Sequence, residues 1–136
     1  MKIAPNALGV LLAAVSFLAF PVMAETTSET EIVGDAAQGR LPFFGCQTCH
    51  YPHKEMGHNT GPNLYGIFGR EAGSYEDFTY YSDALKQANF VWTPEILDLW
   101  LQDPTKMLPG TIMMAVPIKD AQKRADLIEY LKQFQD

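Results

Sequence analysis

Cysteine and positive charge are scarce in this sequence, and strand-like alternation is missing from it. Two cysteines occur among 136 residues, which leaves room for a single disulfide at most. Ten lysines and arginines face 16 aspartates and glutamates, a net charge of −6. Such a balance lacks the basic face that nucleic-acid binding requires. No segment alternates apolar and polar residues with period two over a useful length, which argues against a sheet. No internal repeat is visible.

What is present begins with a stretch free of charge from Ile3 to Ala24. Lys2 precedes an apolar run from Ala7 to Phe20, then come Pro21 and Val22-Met23-Ala24, the layout of a secretory signal with a small-residue cleavage site. The rival reading is an uncleaved anchor, since the stretch approaches the ~20 residues of a membrane span. Pro5, Asn6 and Pro21 shorten the clean part, so residues 1–24 read as a signal peptide. Either way the globular part lies outside the cytoplasm, and a membrane is involved only if the signal stays on. Residues 25–33 (ETTSETEIV) are acidic and too poor in apolar side chains to pack, and read as a flexible leader. Residues 34–136 are then one domain, large enough for a modest core.

Both cysteines fall in Cys46-Gln47-Thr48-Cys49-His50, a C-x-x-C-H pattern of the kind that attaches haem. On a helical turn, residues i, i+3 and i+4 share one face. Two thiols and an imidazole are thus presented together, ready to add to two vinyl groups and to approach iron from one side. A thioredoxin-like dithiol would leave His50 idle and would need a βαβ setting that is absent. A zinc site from Cys46, Cys49, His53 and His58 has tolerable spacing, but it explains nothing C-terminal to His58.

The helical signals come in order. Asp35 is an N-cap for a helix running toward the attachment site, with Pro42 expected to kink or restart it. Tyr51–Gly73 is rich in Gly, Pro, Asn and His and reads as a long loop, uncommon unless something pins it. Ser82 caps a short helix. Thr93-Pro94-Glu95 gives a cap, an N1 proline and an acidic first turn to a helix that presents Ile96, Leu97, Trp100 and Leu101 and stops at Asp103-Pro104. Leu127, Tyr130, Leu131 and Phe134 form the core stripe of a last helix from about Asp120. The class is all-α with long loops.

With the attachment site, Thr60-Gly61-Pro62-Asn63-Leu64, Trp92, Pro109-Gly110-Thr111-Ile112-Met113 and the last helix in order, the chain from about Gly34 to Phe134 resembles a class I cytochrome c of the soluble mitochondrial and bacterial type. The resemblance implies a fold of about four to five helices with long loops around one haem c, bound covalently through Cys46 and Cys49. His50 would be the proximal ligand to iron and Met113 the distal one. Pro62 would receive the Nδ1 hydrogen of His50 on its carbonyl, Arg70, Tyr80 and Trp92 would anchor the propionates, and the Thr111 hydroxyl would support the distal side. Gly39, Phe43, Leu127 and Tyr130 match the family's contact between first and last helices. Trp100 and Ala84 depart from a tyrosine and an asparagine that many relatives carry, which bears on the reduction potential.

Met107 and Met114 compete with Met113 for iron, but adjacent residues in an extended segment face opposite sides, so Met113 and Met114 cannot both point inward. With both axial positions filled the chain is expected to be a periplasmic, monomeric electron carrier of a respiratory chain, not an enzyme. Its partners would be redox proteins: an electron donor and a terminal oxidase, reductase or dehydrogenase. The rival is haem-based ligand binding or peroxidase-like activity, should Met113 dissociate. Lys54, Lys86, Lys106 and Lys119 lie in segments that border the haem in relatives, a possible positive ring on an acidic protein.

Overall fold

The computed structural model describes residues 32–136. The expected signal and most of the acidic leader therefore lie outside the described residues. Among these residues five α-helices follow in order: α1 (Ala36–Gln47), α2 (Asp83–Lys86), α3 (Pro94–Gln102), α4 (Pro104–Met107) and α5 (Ala121–Leu131), with a 3-10 turn at Lys54–Met56. Among the described residues the only β pairing is an isolated bridge between Glu71 and Val91. No described helix is long and apolar enough to cross a membrane.

Each longer helix begins where its local chemistry supplies an acceptor for orphan amides. Asp35 Oδ1 accepts from Ala37 N at 2.8 Å, Thr93 Oγ1 from Ile96 N at 3.2 Å, and Asp120 Oδ1 from Gln122 N at 3.0 Å. Pro42 does not interrupt α1, which is continuous from Ala36 to Gln47. The reason is tertiary: Gly39 and Phe43, on either side of the proline, are buried against α5 and keep this stretch helical. Asp103-Pro104 does end α3, and it also starts α4, since Asp103 Oδ1 accepts from Lys106 N at 3.1 Å.

The α1–α5 crossing is the foundation. A Cβ on Gly39 would lie 2.0 Å from the Asp126 carbonyl oxygen, so only glycine lets the two backbones approach this closely. Phe43 and Leu127 are both fully buried there, and the Phe43 and Tyr130 rings meet at 5.1 Å. Burying each such side chain contributes roughly 1.5–3 kcal/mol. Asp126 adds a polar tie, its Oδ1 accepting from Asp35 N and from Gln122 Nε2, both at 2.8 Å. Leu97, Trp100 and Leu101 of α3 continue the same core.

The loop from Tyr51 to Gly73 is pinned along its length. Gly66 N donates to Phe134 O at 2.7 Å, Gly69 N to Trp92 O at 2.9 Å, and Ala72 N to Phe90 O at 2.9 Å. Asn63, 1% exposed, is its organiser. Its amide nitrogen donates to His53 O and Gly57 O at 2.8 and 2.7 Å, and its oxygen accepts from Tyr65 N at 2.7 Å. The segment is ordered because a buried amide with both hydrogens donated and its oxygen engaged locks its turns.

Candidate haem site

The final turn of α1 delivers Cys46, and the chain then leaves the helix so that Cys49 and His50 follow on the next turn. His50 N and Cys49 N both donate to Cys46 O, at 2.8 and 3.0 Å. Both thiols are free. Cys46 is half-buried, and burial, aided by the nearby Cys49, pushes its thiol pKa up to about 11. Cys49 is exposed, and hydrogen bonds from Thr60 and Thr48 draw its pKa below the usual thiol value.

His50 Nδ1 lies 2.7 Å from the Pro62 carbonyl oxygen. A carbonyl can only accept, so Nδ1 carries the hydrogen and Nε2 is the basic nitrogen. The ring is clamped from one side by Gly61: a Cβ there would stand 2.3 Å from His50 Cε1. Gly61 N in turn donates to Cys49 O at 2.8 Å, and Asn59 Nδ2 to Thr48 O at 3.2 Å. Burial lowers the His50 pKa, opposed in part by the Pro62 bond, so the neutral imidazole is favoured.

On the segment after α4, Met113 is half-buried against the core, while Met114 beside it is 95% exposed. Trp100 Nε1, from α3, donates to Met113 Sδ at 3.0 Å, and Met113 N donates to Thr111 Oγ1 at 3.3 Å. Trp92 is buried with Phe90 and Trp100 edge-on to it at 4.9 and 5.3 Å. Arg124 fastens the far end of this segment. It is 7% exposed, its Nε donates to Asp98 Oδ1 at 2.7 Å, and its Nη1 to the Ile118 and Lys119 carbonyls at 2.9 and 3.0 Å.

Arg70 sits on the loop with its guanidinium 4.4 Å above the Tyr75 ring and Nη2 donating to Asn63 O at 3.3 Å. Its Nη1 is, among the described residues, the buried side-chain polar atom left without a partner. Burial lowers the Arg70 pKa, while Tyr81 and Tyr75 raise it. An orphaned guanidinium nitrogen in an interior is the mark of an absent carboxylate, and a haem propionate is of the right charge to complete it. The free thiols, the oriented imidazole and this nitrogen all fit the group.

Tyr80 is 75% exposed, and the half-buried Tyr81 is the neighbour whose charge acts on Arg70. The alternative zinc quartet is not assembled: no metal-capable cluster of His, Cys, Asp and Glu exists among the described residues. His58 is instead an ordinary loop histidine whose Nδ1 accepts from Asn63 N at 2.9 Å, and His53 packs its ring on Phe134 at 4.8 Å. Sequence reasoning missed the roles of Asn63, Tyr81 and Arg124.

A family model described as Cytochrome c matches residues 36–135. Cytochrome c2 of Blastochloris viridis is 43% identical over 100 residues, 74% of this chain and 78% of that protein. Cytochrome c of Chlamydomonas reinhardtii is 44% identical over 101 residues, 74% of this chain and 89% of its own length. Among solved structures, cytochrome cH from Methylobacterium extorquens superposes with a TM-score of 0.68 at 41% identity, covering 74% of this chain and 99% of that one. A helical frame closed by its two ends, an attachment turn with an oriented histidine and relatives of this closeness lead to one conclusion: the chain belongs to the cytochrome c family, as a class I, monohaem c-type electron carrier.

Proposed function

We propose that Cys46 and Cys49 hold the haem through thioether bonds, that His50 Nε2 and Met113 Sδ occupy the two axial positions, and that the protein moves single electrons between redox proteins on the periplasmic side of a membrane. The observation that carries this reading is the His50 Nδ1–Pro62 bond of 2.7 Å. It sets the tautomer, and with it the nitrogen that would face iron.

The haem supplies the reversible gain and loss of one electron; the chain supplies the setting. Arg70 Nη1 would offer its unused hydrogen to a propionate, with Tyr81, whose charge acts on Arg70, and Trp92, whose backbone N donates to Arg70 O at 2.9 Å, sharing that task. Thr111 holds the Met113 backbone, and Trp100 holds its sulfur. A thioether and an imidazole together, surrounded by Trp92, Trp100, Ile67 and Leu101, favour the ferrous state over a wet or all-nitrogen site. With both axial positions taken, no place is left for a substrate, which supports a carrier and not an enzyme.

Docking would use the apolar outer side of the Met113 segment, where Ile112, Met114 and Val116 are 65%, 95% and 86% exposed. The expected ring of lysines is largely compensated: Lys54 pairs with Asp136 at 3.4 Å, Lys86 with Asp83 at 3.8 Å and Lys119 with Asp103 at 3.7 Å. Lys106, on α4, has no ion pair among the described residues. Export by residues 1–24 and service in a respiratory chain complete the proposal.

Two measurements test the core of it. The native mass should exceed that of the chain by one haem, and the ferric protein should show the weak near-infrared band of sulfur ligation. Colourless protein, or zinc in place of iron, would end the reading.

A further inference from the structure

The segment that carries Met113 holds a second thioether beside the first. We propose that Met114 is a reserve ligand for the distal position: when Met113 is lost from that position, a one-residue slip of the segment brings Met114 Sδ to iron, and the site stays closed by sulfur. This rests on Met113 being the resident ligand.

Two sulfurs can serve one site only if both reach the same space. Met113 and Met114 line one open cleft of about 640 Å³, together with Thr105, Thr111 and Pro117. Their states differ. Met113 is half-buried against the core, whereas Met114 is 95% exposed, so the second side chain gives up almost no packing when it leaves its place. Taking its apolar body out of water favours the exchange once the first sulfur is gone. An unbranched thioether also adapts to an irregular gap better than a branched side chain does.

The backbone permits the slip. Thr111 N donates to Leu108 O at 3.1 Å, and Ile118 N to Leu101 O at 2.8 Å. Between these ties residues 112–117 make no backbone–backbone hydrogen bond. Inside the span, Met113 N donates to Thr111 Oγ1 at 3.3 Å, longer than the usual N–H···O bond. Gly110, with φ +90°, leads into it. Glycine accepts either sign of φ, so this position absorbs the turn that moving one residue along requires.

Beyond the span the hold tightens. Arg124 Nη1 donates to the Ile118 and Lys119 carbonyls at 2.9 and 3.0 Å, and Lys119 Nζ to Gln102 O at 2.9 Å. Movement is thereby confined to the stretch that carries the two methionines, and the helices stay in place. Met107 has no such freedom. It is the last residue of α4, its N donates to Asp103 O at 3.0 Å, and its side chain packs on the core, so bringing it to iron would unwind that helix. The consequence of the reserve is that loss of Met113 does not open the iron to small molecules.

The experiment uses the haem-loaded protein with Met113→Ala, Met114→Ala and the double variant, read by the near-infrared sulfur band of the ferric form at neutral pH. Met114→Ala should keep the band, Met113→Ala should keep most of it, and the double variant should lose it and turn high-spin. Loss of the band in Met113→Ala while Met114→Ala retains it overturns the proposal and leaves the Met113 reading intact. Survival of the band in the double variant also overturns it, since the sulfur would then come from elsewhere. A band lost in Met114→Ala and kept in Met113→Ala would make Met114 the resident ligand and remove the Met113 reading together with the reserve. Should Met113→Ala not yield folded holoprotein, Met113→Leu, which conserves volume, replaces it with the same outcomes. Cyanide gives a second readout: it should bind the ferric double variant about tenfold more tightly than Met113→Ala, because apparent affinity follows the fraction of iron left open. Equal affinity in the two overturns the proposal.

Discussion

Replacing Asp98 by alanine should loosen the protein by an amount that the surroundings of Arg124 define. The guanidinium is 7% exposed and has three acceptors: Asp98 Oδ1 at 2.7 Å and the Ile118 and Lys119 carbonyls at 2.9 and 3.0 Å. Removing one partner from a buried ion pair costs about 3–5 kcal/mol because a charge is left uncompensated. The Asp98 side chain is 33% exposed, and both carbonyls remain, so the expected loss sits below that range, at about 2–3 kcal/mol. The carboxylate also accepts from Gln102 Nε2 at 2.7 Å, which adds a second broken bond within the same figure. Asp98→Asn keeps an acceptor without the charge and should lose about half as much. Denaturant titration of the holoprotein reads both, with the slope unchanged if only stability has moved. The near-infrared sulfur band should fade at lower denaturant than helical signal, because Arg124 anchors the end of the Met113 segment. A loss under about 0.5 kcal/mol for Asp98→Ala, within the scatter of ordinary surface changes, would refute the claim that this pair restrains the segment.

Gly61→Ala places a methyl 2.3 Å from His50 Cε1; the ring or the loop must shift, at about 1–3 kcal/mol, and the optical spectrum should change with the stability. An unaltered spectrum with full stability would show that the ring has slack. Lys106→Glu should alter the salt dependence of electron transfer to an acidic partner more than Lys86→Glu, because Lys86 already faces Asp83 at 3.8 Å; stopped-flow rates against ionic strength compare them. The Asp136 carboxyl is held below its ordinary 3.8 first by the Tyr65 hydroxyl and then by Lys54. Its folded pKa is depressed, so its contribution is present above the unfolded value and lost as pH falls below it. Tyr65→Phe should raise the carboxyl toward 3.8, read by NMR titration, and a static value would mean the 2.9 Å bond does not persist in solution.

Local chemistry made much of this legible. Caps at Asp35, Ser82, Thr93 and Asp120 act within three residues of themselves, so the starts of α1, α2, α3 and α5 can be read from short windows. The stop at Asp103-Pro104 was legible in the same way, but not that the same dipeptide caps the next helix, α4. Pro42 reads as a break because the compensating burial of Gly39 and Phe43 comes from α5, far along the chain. The attachment turn was legible in full, being five consecutive residues. Tyr81 was not, since neighbours in an extended stretch differ only by which side they face, and that depends on packing. Asn63 and Arg124 were invisible for a related reason: most of their partners are backbone carbonyls, which no side-chain pattern announces.

The meeting of α1 with α5 joins segments whose polar tie, Asp35 to Asp126, spans 91 positions. Closing so long an interval is entropically slow. Phe43 has no cover until the last stretch of chain is available, and a product cut short before Leu127 would leave it in water. In synthesis from the N-terminus, the thiols at 46 and 49 are thus made well before α5. The order of synthesis leaves them open until α5 packs against α1.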